Sequence, residues 1–266
     1  MKNYCGWLNK KTFSGPGYDQ IISELENFQF NFVGKDKNYH KGWILFNDQR
    51  IFGSDLISNW SRQYEYPYVA INLIDGDKNL KILDVGSGYS FFPSYVRSLG
   101  FDITCSDLLD LENLYNGSGV SFIRDNIEET KIKDKYDIIY SISVFEHLSD
   151  KAKAVENIYN LLKPEGKLIL TMDCDLNLNM DEFTPNYGDL AKLIDILNLK
   201  FNKVADFNLT RDDDFITSDV FIGKNDWRLP WKNSNSTKNR IKNLLTLNFH
   251  NYIPSVGVFV GIWEKK

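Results

Sequence analysis

Five short apolar runs in the middle of the chain each end on residues that can bind or react. Their ends read Asp84-Val85-Gly86-Ser87-Gly88, Asp107, Asp125-Asn126, the stretch Ser143 to His147, and Asp173. The first sits in LKILDVGSGYSFF (80–92), where an acid stands two residues ahead of two closely spaced glycines. Glycines of this kind let the backbone come into contact with a ligand and expose N–H groups at the start of a helix. Asp107 follows about 20 residues later, the spacing at which one carboxylate accepts both hydroxyls of a ribose. A carboxylate there favours a free diol and disfavours a 2′-phosphate.

To this point a nicotinamide dinucleotide and another adenosine ligand fit equally well, and two residues separate them. The third glycine of a dinucleotide fingerprint would fall at position 91, which is Phe91; a phenyl ring there opposes close packing of the helix on a pyrophosphate. Asp84 would repel a polyphosphate but favours an ammonium group. A ligand with adenosine at one end and an amino-acid ammonium at the other meets both demands, and S-adenosylmethionine is such a ligand. Two competitors remain: an NAD-dependent dehydrogenase, and a non-catalytic nucleoside-binding protein.

The elements that must position these residues alternate between strand and helix. KILDV (81–85), FDITCSD (101–107), VSFIRDN (120–126), YDIIYSIS (136–143) and KLILTMD (167–173) read as strands, the mostly apolar ones as strands buried on both faces. PSYVRSLG (93–100) has helical spacing and ends on a glycine, and SDKAKAVENIYNLLK (149–163) carries one apolar face behind Ser149 as a cap. PEG (164–166) reads as a turn, and TPNYGDLAKLIDILN (184–198) as a helix. KVADFNL (203–209) and SVGVFVGIWEK (255–265) read as two further strands, separated by an insertion (210–254) that holds Trp227 and Trp231. Strands alternating with helices imply a parallel, doubly wound sheet with right-handed crossovers. Residues 1–78 lack that alternation and read as a helical lead-in or lid, and 79–266 as the α/β domain.

Composition narrows the partners. With 42% hydrophobic residues the 266-residue chain can bury a large core. A net charge of −5 leaves no basic footprint, so no nucleic-acid partner is expected. Cys5, Cys105 and Cys174 are too scattered for a disulfide framework or a zinc site. Without a signal-like leader or a membrane-length apolar run, a cytoplasmic protein with no membrane span is expected. Asp173 and Asp175 have no obvious third ligand, so no metal is expected.

ILDVGSGYS, ITCSD, FIRDNIEE, YDIIYSISVFEHLSD and LLKPEGKLILTMD resemble, in order and spacing, the successive motifs of class I S-adenosylmethionine-dependent methyltransferases over about residues 79–173. The resemblance implies a Rossmann-like seven-stranded sheet with an antiparallel last strand, for which GVFVGIWEKK is suited. It implies that Asp84, Gly86, Ser87 and Gly88 hold the methionine part, and that Asp107 takes the ribose with Leu108 against the adenine. Asp125 would accept from the adenine amino group, the backbone at Asn126 would meet the ring, and Ser143 would line the floor. Tyr89-Ser90 departs from the usual small Thr-Gly pair.

Methyl transfer to a hydroxyl also needs a base, for which His147 is the first candidate and Glu146 the second. Arg62 or Tyr64, in RQYEYPY (62–68), would close over the cofactor carboxylate. No Asn/Asp-Pro-Pro-Tyr/Phe run and no Pro-Cys pair is present, which argues against bases in DNA as acceptors. A small-molecule acceptor is left. The lead-in and insertion loosely resemble methyltransferases of bacterial surface-polysaccharide pathways, which implies O-methylation of a nucleotide-linked sugar or of a phosphate-type capsule modification.

Overall fold

A computed structural model describes residues 1–33, 43–46, 49–52, 57, 60–74, 76–176, 187–218 and 256–266. The lead-in contributes strand β1 (Gly6–Trp7), helix α1 (Pro16–Val33), the strands β2 (Trp43–Phe46) and β3 (Gln49–Phe52), and helix α2 (Arg62–Leu73). Then come β4 (Lys81–Val85), α3 (Phe92–Ser98), β5 (Asp102–Asp107), α4 (Glu112–Tyr115), β6 (Ser121–Arg124) and β7 (Tyr136–Ile142). The chain continues with α5 (Lys151–Leu161), β8 (Leu162–Asp175), α6 (Tyr187–Lys200), β9 (Phe201–Lys203) and β10 (Val256–Lys265).

The main sheet runs β6-β5-β4-β7-β8-β10, and its strands from β6 to β8 are parallel. β10 returns antiparallel along β8, and both β1 and β9 pair with the far edge of β10. The order of the strands reverses between β4 and β7, and a parallel sheet opens its binding crevice at the carboxyl ends beside such a point. One face of the sheet buries Ile82, Ile103 and Tyr140 under α1, α2 and α3, with Leu25, Tyr68 and Phe92 among the covering residues. The other buries Leu83, Ile139 and Leu170 under α5 and α6, through Val155, Ile158, Leu190 and Leu197. Apolar side chains on both faces are what turn the central segments into unbroken apolar runs. Among the described residues no helix is long and apolar enough to cross a membrane.

Several local expectations need correction. The lead-in is not wholly helical: β1 extends the sheet to eight strands, and β2 pairs with β3 in a separate two-stranded sheet. A two-residue strand is too short to show alternation in sequence. The 203–209 strand is shorter and earlier, β9 spanning Phe201–Lys203, after which only Asn208 bridges, to Gly6. PEG lies inside β8 as a bulge, where the register jumps from Tyr136↔Leu162 to Ile138↔Lys167 and Glu165 takes a positive φ of 59°. Helix α5 is capped by Asp150, whose carboxylate accepts from the Lys153 N–H at 2.9 Å, and not by Ser149. Trp227, Trp231 and most of the insertion lie outside the described residues.

Helix α2 runs through Pro67 without breaking. Proline removes the N–H that the Gln63 carbonyl would accept one turn earlier, and the Tyr18 hydroxyl of α1 donates to that carbonyl at 2.7 Å. Gly6 shows the tightest backbone approach: its φ is 137°, and an added Cβ would lie 2.1 Å from the Asn208 carbonyl oxygen. Gly6→Ala is therefore expected to destabilise the fold by about 1–3 kcal/mol and to strip β1 from β10. Urea denaturation together with amide hydrogen exchange at Trp7 and Leu8 checks this; unchanged protection would contradict it.

Candidate functional site

The turn after β4 is built on two left-handed glycines, Gly86 at φ 75° and Gly88 at φ 55°. Gly86 has a second reason to be glycine, because a Cβ there would lie 2.4 Å from Cγ2 of Val144 in the loop after β7. The N–H groups of Gly86 and Ser87 both donate to the Ser106 carbonyl, at 2.8 and 3.1 Å, which pins the turn to β5. Phe91, at the position where a third glycine would stand, is buried edge-on against Tyr66 at 5.4 Å. Tyr66 also stacks on Phe92 at 4.7 Å and shares a 2.9 Å hydrogen bond with Ser90. The turn is thus supported from behind by Tyr66 of α2.

A cavity of about 410 Å³ opens over this turn. It is lined by Asp84, Gly86, Ser87 and Gly88, by Asp107 and Leu108, by Asp125 and Asn126, and by Arg62, Ser143 and His147. Thus all the expected cofactor residues but Tyr64 line one cavity. Tyr64 points elsewhere, stacked on Tyr18 at 6.3 Å and edge-on to Phe13 at 6.1 Å. Of the expected base pair, His147 lines the cavity and Glu146 is buried beside it.

Along this wall the acids are already partly engaged with backbone. Asp107 accepts the Gly88 N–H through Oδ2 and the Leu109 N–H through Oδ1, each at 2.9 Å, so it braces the glycine turn as well as facing the cavity. Asp125 accepts the Lys131 N–H at 2.8 Å through Oδ1, while its Oδ2 is buried without a partner. Such an oxygen is costly unless a ligand donor reaches it. The Asn126 side chain caps the short turn 127–129, accepting from the Glu128 N–H at 3.0 Å. This leaves the Asn126 backbone as its contribution to the wall. Leu108 is 63% exposed at the rim, an apolar surface open for a flat ring.

The opposite wall belongs to a polar network that joins α2 to the ends of β7 and β8. Arg62 donates to Ser143 Oγ at 2.7 Å and pairs with the carboxylate of Glu65, one turn further along α2. Glu65 is fully buried and accepts the Ser143 hydroxyl at 2.8 Å and the Thr171 hydroxyl. Ser143 holds a left-handed φ of 51°, a strained backbone for a non-glycine residue that this network offsets. Beyond it, Glu146 accepts the Asp173 N–H at 3.3 Å. Burial, followed by the charge of Glu65, pushes the Glu146 carboxyl up to about 8. Burial and then the neighbouring Glu65 and Glu146 raise Asp173 well above the carboxylate range. His147 is held below its ordinary value by burial, then by Arg62 and Lys151. Neither Glu65 nor Thr171 stands at a strand end, so strand-end position does not single them out as site residues; a polar residue on a helix face packed under the sheet is the one signal of Glu65.

Known proteins share part of this sequence and this fold. Residues 83–170 match the family model described as a methyltransferase domain. A malonyl-[acyl-carrier protein] O-methyltransferase of Calditerrivibrio nitroreducens is 30% identical over 128 residues, 47% of this chain and 49% of the relative. A ubiquinone biosynthesis O-methyltransferase of Rickettsia canadensis is 29% identical over 99 residues, 35% of this chain and 42% of the relative. The chain thus spans about half the length or less of these curated relatives. In three dimensions the N-methyltransferase NodS of Bradyrhizobium japonicum, solved with S-adenosylhomocysteine, superposes with a TM-score of 0.52 at 12% identity, over 91% of this chain and 97% of that one. The fold is that of this solved methyltransferase, and the matched segment is a methyltransferase domain.

The carboxyl cluster makes stability fall with rising pH. Glu146 keeps its proton in the folded chain up to about pH 8, whereas its ordinary value is 4.5, so folding retains a proton across that window. Stability is then full below about 4.5 and drains as pH climbs towards 8. Urea midpoints measured from pH 5 to 8 should drop in the wild type and drop less in Glu146→Gln; parallel slopes would contradict the assignment.

Proposed function

We propose that the protein transfers a methyl group from S-adenosylmethionine to a small polar acceptor. The observation that carries this reading is the convergence of Asp84, the Gly86–Gly88 turn, Asp107 and the partnerless Asp125 oxygen on one cavity at the switch point of the sheet. Asp84 would meet the ammonium of the cofactor and the bare turn its amino-acid part, while Asp107 takes the ribose and Asp125 the adenine amino group with Leu108 against the ring. Arg62, on the opposite wall, is placed to meet the cofactor carboxylate. When bound, the cofactor supplies an electrophilic methyl on a sulfonium. The task of the chain is then to align an acceptor for in-line displacement and to exclude water.

His147 lines the same cavity, and burial beside Arg62 and Lys151 keeps its imidazole neutral near pH 7, as a general base must be. A nucleotide-linked sugar or a phosphate-type capsule group fits the class of acceptor, with a hydroxyl or an amine as its reacting group. The dehydrogenase reading is disfavoured by Phe91, which occupies with Tyr66 the space behind the turn.

Thermal-shift titration with S-adenosylmethionine, S-adenosylhomocysteine and NAD tests the reading. The two adenosyl ligands at about 100 times their Kd should each add about 2.7 kcal/mol of stability, and NAD none. Asp107→Ala should weaken S-adenosylhomocysteine by tenfold or more, since it frees the Gly88 turn as well as the ribose. His147→Ala should keep that affinity and lose turnover. A shift with NAD alone would overturn the proposal.

A further inference from the structure

Tyr66 stands between two stretches of the cavity lining that lie far apart in the chain. On one side its hydroxyl shares a 2.9 Å hydrogen bond with Ser90 Oγ, which also accepts the Phe92 N–H at 3.0 Å. Its ring is stacked on Phe92 at 4.7 Å and edge-on to Phe91 at 5.4 Å, so ring and hydroxyl together hold the segment 90–92. Tyr115 of α4 steadies the same segment from elsewhere, donating to the Ser90 carbonyl at 3.2 Å. On the other side lies Arg62, four residues earlier and so on the same face of α2. Its guanidinium carbon is 6.0 Å from the centre of the Tyr66 ring, within reach of attraction by an aromatic face. Tyr66 and Ser90 are only 2% and 5% exposed, so water does not compete for the bond between them. Packing on Phe91 and Phe92 needs a ring alone. A buried hydroxyl adds a cost unless its bond is made, and here it is made to a residue of the cavity lining.

We propose that Tyr66 is a positioning residue for the amino-acid half of the cofactor. Through its ring and its bond to Ser90 it sets the separation between the glycine turn and the Arg62 guanidinium. This deepens the methyl-transfer reading and rests on it. In that reading Asp84 and the turn take the ammonium side of the amino-acid half, and Arg62 takes its carboxylate. The two groups are carried on α2 and on the loop after β4, and they serve one short ligand segment only if those elements keep a fixed spacing. The adenosine half is held at the ends of β5 and β6, by Asp107, Leu108 and Asp125. Loss of the Tyr66–Ser90 bond therefore falls on the amino-acid half and spares the adenosine half.

The test uses the full chain and two ligands, S-adenosylhomocysteine and methylthioadenosine, which carries a methyl on sulfur in place of the amino-acid chain. Tyr66→Phe keeps the ring and removes only the hydroxyl. Calorimetric titration should show S-adenosylhomocysteine weakened about fivefold, the size of one lost neutral hydrogen bond, and methylthioadenosine within about twofold of the wild type. Ser90→Ala should reproduce that pattern, and it alone carries the test if Tyr66→Phe does not fold. Adding Tyr66→Phe to Ser90→Ala should weaken S-adenosylhomocysteine no further, because both remove the same bond. Equal weakening of the two ligands, unchanged S-adenosylhomocysteine affinity, or losses that add in the double variant would overturn the assignment. So would a wild type that binds S-adenosylhomocysteine but not methylthioadenosine, since the two halves would then not be held separately. Failure of S-adenosylhomocysteine to bind the wild type would remove the methyl-transfer reading, and the positioning role with it.

Discussion

Glu65 is a fully buried carboxylate that ties the lead-in to the carboxyl-end side of the parallel sheet. It takes hydroxyls from the ends of β7 and β8 and a guanidinium from its own helix, so the placement of α2 is set by side chains 78 and 106 positions away. Removing one member of a buried pair of this kind costs about 3–5 kcal/mol, because the other is left charged in a dry place. With α2 fixed, Tyr66 lies against Phe91 and Phe92 and supports the glycine turn from behind. Arg62 then stands in the cavity wall. The lead-in thus contributes Arg62 and Tyr66 to the lining of the cavity.

The same region concentrates what is locally unfavourable in the fold. Ser143 has a left-handed backbone, Gly86 has no room for a side chain beside Val144, and burial raises the carboxyl pKa values of Glu146 and Asp173, each with one buried oxygen without a partner. Apolar side chains in these places would make a more stable protein. Strain gathers where a ligand is to be met, and Gly86, Ser143 and Val144 line the cavity while Glu146 and Asp173 lie outside its lining. Asp107 and Asp125 on the cavity wall already accept backbone N–H groups, and one Asp125 oxygen is left without a partner.

The parallel core was legible because its strands are short apolar runs buried on both faces, each ending on a polar residue at the carboxyl edge. Asp84, Asp107 and Asp125 could be placed in one crevice from that fact alone, since strand ends in a parallel sheet share an edge. What escaped was set by long-range contacts. β1 is two residues long, and only its partner β10 makes it a strand. Tyr64 and Tyr66 read alike in sequence, but one helical turn sends Tyr64 towards Tyr18 and Phe13 and Tyr66 towards the glycine turn. Pro67 reads as a helix breaker because its cost is local, whereas the compensating Tyr18 hydroxyl comes from another helix. The choice of Asp150 over Ser149 as a cap is a one-residue difference that local propensity does not resolve.

The central claim is that the wall formed by Asp84, the glycine turn, Asp107 and Asp125 is the cofactor site. A crystal structure with S-adenosylhomocysteine addresses it most directly. The account predicts the homocysteine ammonium near Asp84 on the bare turn, the ribose diol on Asp107, and the adenine amino group on the Asp125 oxygen that now has no partner. The ligand bound elsewhere, or bound here with its adenine away from Asp125, would contradict it.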